Sequence, residues 1–251
     1  MPDPLTLLLL IIAAFFAGLI DAVAGGGGLI TVPVLMSIGL PPQVALGTNK
    51  LQASFGSGSA MLHFVRSGTV KLSECISGII WTAIGAASGV IAIQQMDAGF
   101  LKQLVPWLLV TIAIYTLFTP KLGSEDIRAR LSTKLFYPLF GLSIGFYDGF
   151  FGPGTGSFWA MAFVLLLGCS LVRATAHTKV MNFTSNIVAL VFFIWAGQVL
   201  FVEGLLMGVA QFIGARIGAN LVTLKGAKFI RPVFITVVLL ITAKLLYQNY
   251  R

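Results

Sequence analysis

Charge is what this sequence has least of. Only 10% of its 251 residues are Asp, Glu, Lys or Arg, against about 25% in a soluble domain. The two histidines and two cysteines form no cluster with metal-ligand spacing, and no nucleophile–base–orienter set or cofactor motif is present, which argues against a membrane-embedded enzyme. Cys75 and Cys169 both fall in apolar segments, so a disulfide framework is not expected. No G-x-x-x-x-G-K-[ST] loop occurs, which disfavours an ATP-driven pump. The start, Met1-Pro2-Asp3-Pro4, lacks the basic region of a secretory signal, so the first apolar segment is expected to be retained.

What the chain has in abundance is apolar residues, 57% of the total, with a mean hydropathy of +0.97. The apolar runs have the length of helices rather than of barrel strands. The expectation is an all-α integral membrane protein. The excess of Lys and Arg, 16 against 8 acidic residues, reads as the loop charge that orients such a protein rather than as a nucleic-acid surface.

The first half divides into Leu5–Ala24, Leu29–Leu40, Val44–Val65, Ser73–Gln94 and Phe100–Thr119. After a hydrophilic link the pattern returns as Leu135–Phe151, Phe158–Gly168, Ala174–Ala196, Gly204–Leu224 and Phe229–Tyr247. An offset of 127 aligns Asp21 with Asp148, Gly25 with Gly152 and Gly27 with Gly154; an offset of 129 then aligns Lys50 with Lys179, Gly85 with Gly214, Gly89 with Gly218 and Phe100 with Phe229. A constant shift over so many positions marks a duplication, with a first repeat at 1–120, a link at 121–134 and a second repeat at 135–251.

Leu29–Leu40 would make about 18 Å of helix, short of a hydrocarbon core of about 30 Å. Paired with the segment before it, it reads as a glycine-broken hairpin followed by three full spans; a full span for Leu5–Ala24 is the alternative, which changes the count but not necessarily the inversion. Three is odd, so the two repeats are expected to have inverted topology. Inversion puts ten basic residues, from Arg66 to Arg231, on one side and only Lys102, Lys244 and Arg251 on the other. That bias makes the link cytoplasmic and places both termini outside.

The candidate site begins at the breaks. Gly25, Gly26, Gly27 and Gly28 interrupt one apolar run, and Gly152, Gly154, Thr155 and Gly156 interrupt the equivalent one. In lipid, a broken helix survives only where protein or a water-filled cavity satisfies its backbone. Helix N-termini at such a break offer N–H groups and a positive dipole end to an anion. Packing of small residues against a neighbouring helix is the alternative. Lys50 and Lys179 stand at equivalent positions, each about 12 Å into its helix, where a lysine is functional by default. Thr48, Asn49, Gln52, His177, Thr178, Asn182 and Asn186 around them supply hydrogen-bond donors suited to an oxyanion. Asp21 and Asp148 read either as proton-coupling carboxylates or as structural partners for a lysine. Arg216, with Ala87 opposite it in the alignment, breaks the symmetry and reads as a pathway residue.

At these residues the sequence resembles the TauE/SafE family of sulfite and organosulfonate exporters. The resemblance rests on Gly25–Gly28 with Pro33, Gly39 and Ala45-Leu46-Gly47-Thr48. In the second half it rests on Gly152-Pro153-Gly154-Thr155-Gly156, Thr178-Lys179 and Gly197-Gln198-Val199. It implies a bacterial inner-membrane carrier of small anions. The expected partners are an anionic substrate, protons as the coupling ion and the bilayer, with no nucleic acid, metal or cofactor; homo-oligomers are left open. Alternating access of one inverted half against the other is the expected mechanism, and an anion channel is the rival.

Overall fold

A computed structural model describes residues 3–118 and 128–225. The last segment expected from the sequence, 229–247, lies outside the described residues, as do residues 121–127 of the link. The described residues form nine α-helices and no strand.

Helix α1 spans Pro4–Ala24. Asp3 caps it by accepting from the Thr6 amide at 2.6 Å, with Pro4 in the first turn, where its missing N–H is not needed. The helix ends because Gly25 turns left-handed, φ +72°, a conformation open mainly to glycine. Helix α2, Gly28–Ser37, follows after three residues. Next come α3, Pro42–Arg66, a single 3₁₀ turn at Leu72–Cys75, α4, Ile76–Gln94, and α5, Ala98–Phe118. The second half repeats the order: α6, Thr133–Phe150, a break containing Gly152 and Gly154 at φ +95° and +84°, α7, Thr155–Leu167, α8, Leu171–Trp195, and α9, Phe201–Lys225.

The hairpin expected from the short Leu29–Leu40 segment is lopsided. Helix α1, with 21 residues, is about 31 Å long, whereas α2, with 10, is about 15 Å. Among the described residues, α1 is by length and composition one of four helices able to cross a membrane, with the 3₁₀ turn and α4, α8, and α9. Helix α3 is as long as α8 but carries a run of buried polar side chains from Thr48 to Ser59. Its polarity is spent inside the protein, not against lipid.

The two repeats interlock. The largest helix–helix interfaces join α4 to α6 and α1 to α9, followed by α3 with α9, α3 with α8 and α4 with α8. The long helices α1, α3, α4, α6, α8 and α9 thus pack chiefly against the opposite repeat, whereas the short α2 and α7 pack within their own. The interfaces also correspond atom by atom. A Cβ placed on Gly85 or Gly89 of α4 would run into the carbonyls of Leu142 and Phe146 of α6. One placed on the counterparts Gly214 or Gly218 of α9 would run into those of Phe15 and Leu19 of α1. Without a hydrophobic drive between helices in lipid, this closeness of backbones is what holds them. The outward faces are apolar: Leu5, Leu8, Leu9, Ile12 and Phe16 of α1, and Leu135, Leu139, Leu142 and Phe146 of α6, recur at helical spacing and are exposed.

Candidate functional site

The helix breaks meet at the centre. Gly25 lies against the backbone of Gly156, so close that neither position has room for a Cβ. Beside this contact is a cavity of about 30 Å³, lined among others by Asp21, Gly25, Gly28, Asn49, Lys50, Asp148, Gly152, Gly154, Thr155, Gly156 and Asn182. That is room for a water or two. Gly28, Thr155 and Gly156 are in the first turns of α2 and α7, so both short helices present N-termini to it.

The lysines reach this centre by crossing between repeats. Lys50 of α3 donates to the Asp148 side chain at 2.6 Å and to the Asp148 carbonyl at 2.5 Å. Lys179 of α8 donates to the Asp21 side chain at 2.9 Å and to the Asp21 carbonyl at 2.5 Å. Each aspartate stands in the last turn of α1 or α6, where a cation is favoured by the helix dipole and by the free carbonyls. Lys50 lines the cavity itself, whereas Lys179 meets it through Asp21, which does; each ammonium arrives with a carboxylate, which compensates much of the cost of burying it. The residues Ser57 and Asn186, equivalent in the alignment, touch, the Asn186 side-chain amide donating to the Ser57 hydroxyl at 3.4 Å.

Not every candidate faces the cavity. Thr48 is fully buried and its hydroxyl accepts from the Leu200 amide at 3.0 Å, tying α3 to the start of α9. Gln52 donates to the Asn49 side-chain oxygen at 3.0 Å, and Thr31 donates to the same atom at 2.6 Å, so these two orient the Asn49 side chain. The Thr178 hydroxyl is buried without a partner. Gly26 and Gly27 form the turn, the Gly27 amide donating to Asp21 Oδ1 at 3.2 Å. Arg216 is half-buried on α9, within electrostatic reach of His63, and does not line the cavity.

His177 lines a second cavity of about 470 Å³, together with Glu74, Ser132, Thr133, Tyr137, Cys169 and Arg173. This cavity sits at the N-terminal end of α8. His177 Nδ1 lies 3.4 Å from Cys75 Sγ. The counterparts of Arg173 and His177 are Val44 and Thr48, so the polar lining is not repeated on the other side.

Three cavity neighbours were not singled out from the sequence: Gln211 and Ala53, which line it, and Ser185, whose hydroxyl donates to Asp148 Oδ2. Gln211 was detectable as an amide flanked on both sides by apolar residues of α9. Ser185 was detectable as a difference between repeats, because its counterpart is Gly56.

An all-helical chain with several membrane-length apolar helices, two interlocked repeats and buried ion pairs at its centre has the architecture of a multi-pass membrane transporter. Comparison with known proteins agrees: the description "Sulfite exporter TauE/SafE" matches residues 10–245, and the chain belongs to that family. It is 48% identical to a probable membrane transporter protein of Haemophilus influenzae, over 97% of this chain and 95% of the relative. It is also 48% identical to the probable membrane transporter protein YfcA of Escherichia coli K12, over 100% and 93%, and 45% identical to the probable membrane transporter protein ORF9 of Sinorhizobium sp., over 94% and 91%.

Proposed function

We propose that the protein is a proton-coupled secondary transporter of a small anion, such as sulfite, an organosulfonate or a related oxyanion or carboxylate, in a bacterial inner membrane. The observation that carries this reading is the pair of buried lysines, each bonded to an aspartate of the opposite repeat beside one small cavity. An anion competes with a carboxylate for the same ammonium. Protonating the carboxylate removes the competitor and leaves the positive charge for the anion, so anion and proton occupy the centre together. The N-termini of α2 and α7 add backbone donors, and low effective dielectric strengthens both interactions.

The cavity is too small for a sulfonate as it stands, so binding requires the helices to part. Because α1 is packed on α9 and α6 on α4, these cross-repeat pairs move as bodies around α3 and α8; the two sequence halves do not separate. The test is uptake into proteoliposomes holding the purified protein, with sulfite, methanesulfonate, acetate and phosphate offered in turn, with and without an inward proton gradient. Saturable uptake driven by the gradient is expected. Non-saturating flux that ignores the gradient would establish a channel instead, and no flux of any of the four would remove the anion reading.

A further inference from the structure

The two lysine–aspartate pairs are equivalent in the alignment but not in their surroundings. The Lys50–Asp148 pair is closed. Its side chains are 1% and 4% exposed. Lys50 has a third acceptor, the Asn186 side-chain oxygen at 3.3 Å. Asp148 gives one oxygen to Lys50 and the other to the Ser185 hydroxyl. The Lys179–Asp21 pair is looser. The Asp21 side chain is 15% exposed, and its second oxygen has only the Gly27 amide at 3.2 Å. Gly56 stands where Ser185 would be, and the space a side chain there would take is occupied by Gln211.

Gln211 and Asn182 complete the contrast. Both line the cavity, at 2% and 5% exposure, and the carbonyl oxygens of both side chains are buried without a hydrogen-bond partner. Their counterparts in the other repeat are Thr82 and Ala53. Burying an amide oxygen unsatisfied is costly. These oxygens are acceptors and fit no anion, but a half-turn of either amide exchanges its oxygen with its N–H group, so what the two side chains can turn to an anion in the cavity is a pair of donors. Asp21 faces Lys179 from α8, the Gly27 amide from the α1–α2 turn and, across the cavity, the Lys50–Asp148 pair of α3 and α6; from α9 the cavity receives Gln211, which is uncharged.

We propose that the pairs have divided the work: Lys179–Asp21 opens, bringing Lys179 to the cavity that Asp21, Asn182 and Gln211 line, to bind one anion among Lys179, Asn182 and Gln211, whereas Lys50–Asp148 stays shut as a clasp between the repeats. The inference rests on the anion-transport reading and goes beyond it by assigning the proton to one aspartate. In the step, Asp21 takes one proton from water in the compartment that the cavity faces, forming one O–H bond. Lys179 keeps its own proton and charge, exchanging the carboxylate for the anion. One proton enters with one anion, and a monovalent anion crosses without net charge. The amide N–H groups of Asn182 and Gln211 donate to the anion's oxygens.

The experiment is an infrared difference measurement on reconstituted protein, sulfite against no sulfite, with methanesulfonate run beside it. Wild type is expected to show a new protonated-carboxyl band, absent in Asp21→Asn and shifted in Asp21→Glu. Gln211→Leu should retain the band and weaken apparent affinity about tenfold. Asp21→Asn should also exchange anion in a way that no longer responds to a proton gradient. Persistence of the unshifted band in both Asp21 variants, or its loss in Asp148→Asn protein that remains folded, would overturn the division of labour. Flux without any carboxyl band in wild type would overturn proton uptake by aspartate. Neither band nor flux with either probe would instead count against anion transport itself.

Discussion

Breaking the Lys50–Asp148 pair from one side should be among the most destabilising single changes in the protein. Lys50→Met removes the ammonium that lies 2.6 Å from Asp148 Oδ1 and leaves that carboxylate 4% exposed, with the Ser185 hydroxyl as its remaining side-chain donor. Leaving one charge of a buried pair uncompensated costs about 3–5 kcal/mol. Removing both charges with Lys50→Met/Asp148→Leu leaves a stability near that of the wild type, because replacing a whole buried pair by apolar side chains is often neutral. With the double near zero, the double-mutant cycle should therefore give a coupling of about 6–10 kcal/mol in magnitude, the sum of the two single costs. The same cycle on Lys179 and Asp21 should give less, since Asp21 is 15% exposed and water can reach the stranded carboxylate. The assay is reversible denaturant unfolding in detergent micelles, with wild type, singles and doubles compared at one detergent concentration. Additive single mutants at the Lys50–Asp148 pair, or a larger coupling at the Lys179–Asp21 pair, would refute the argument.

A cysteine introduced at Ser124 should label only from the cytoplasm and one at Gln198 only from outside; labelling of both from the same side would rule out the inverted arrangement read from the charge pattern. Gly89→Ala should cost about 1–3 kcal/mol through overpacking, because the new Cβ overlaps the Phe146 carbonyl of α6, and Gly218→Ala should cost a similar amount against Leu19. Unfolding of the two alanine variants measures this, and a neutral result at both would mean that the helices are not held so closely. The Thr6 amide and hydroxyl hold the exposed Asp3 carboxyl below its ordinary range, the amide contributing most. A depressed carboxylate stabilises above its unfolded pKa and loses that contribution as pH falls through the folded value. Hydrogen exchange in the first turn of α1 should accordingly quicken on acidification, and Asp3→Asn should remove the pH dependence.

The segment order, the duplication and the two glycine breaks were legible in the sequence because they are written in one-dimensional properties. Apolar length, helix-breaking residues and a constant offset need no knowledge of contacts. The central lysines were legible for a similar reason: a charge deep in an apolar run must be accounted for, whatever surrounds it. Asp21 and Asp148 could be listed but not assigned, because a carboxylate that carries a proton and one that pairs with a lysine look alike along the chain.

Only the tertiary structure decided who meets whom. The pairing of Lys50 with Asp148 and of Lys179 with Asp21 spans 98 and 158 residues and arises because interlocking brings the helix breaks of one repeat beside α3 or α8 of the other. The same interlocking sends Thr48 and His177 away from the centre, to the Leu200 amide and to Cys75, although each stands two residues from its lysine, nearer along the chain than the cavity-lining Asn182. Helical periodicity fixes which face a residue shares, but the crossing of the helices fixes what that face meets. Gln211 is the clearest case. Nothing in α9's own sequence says that its amide fills the space left by Gly56 on α3, and that one substitution of shape between repeats makes two equivalent ion pairs unequal.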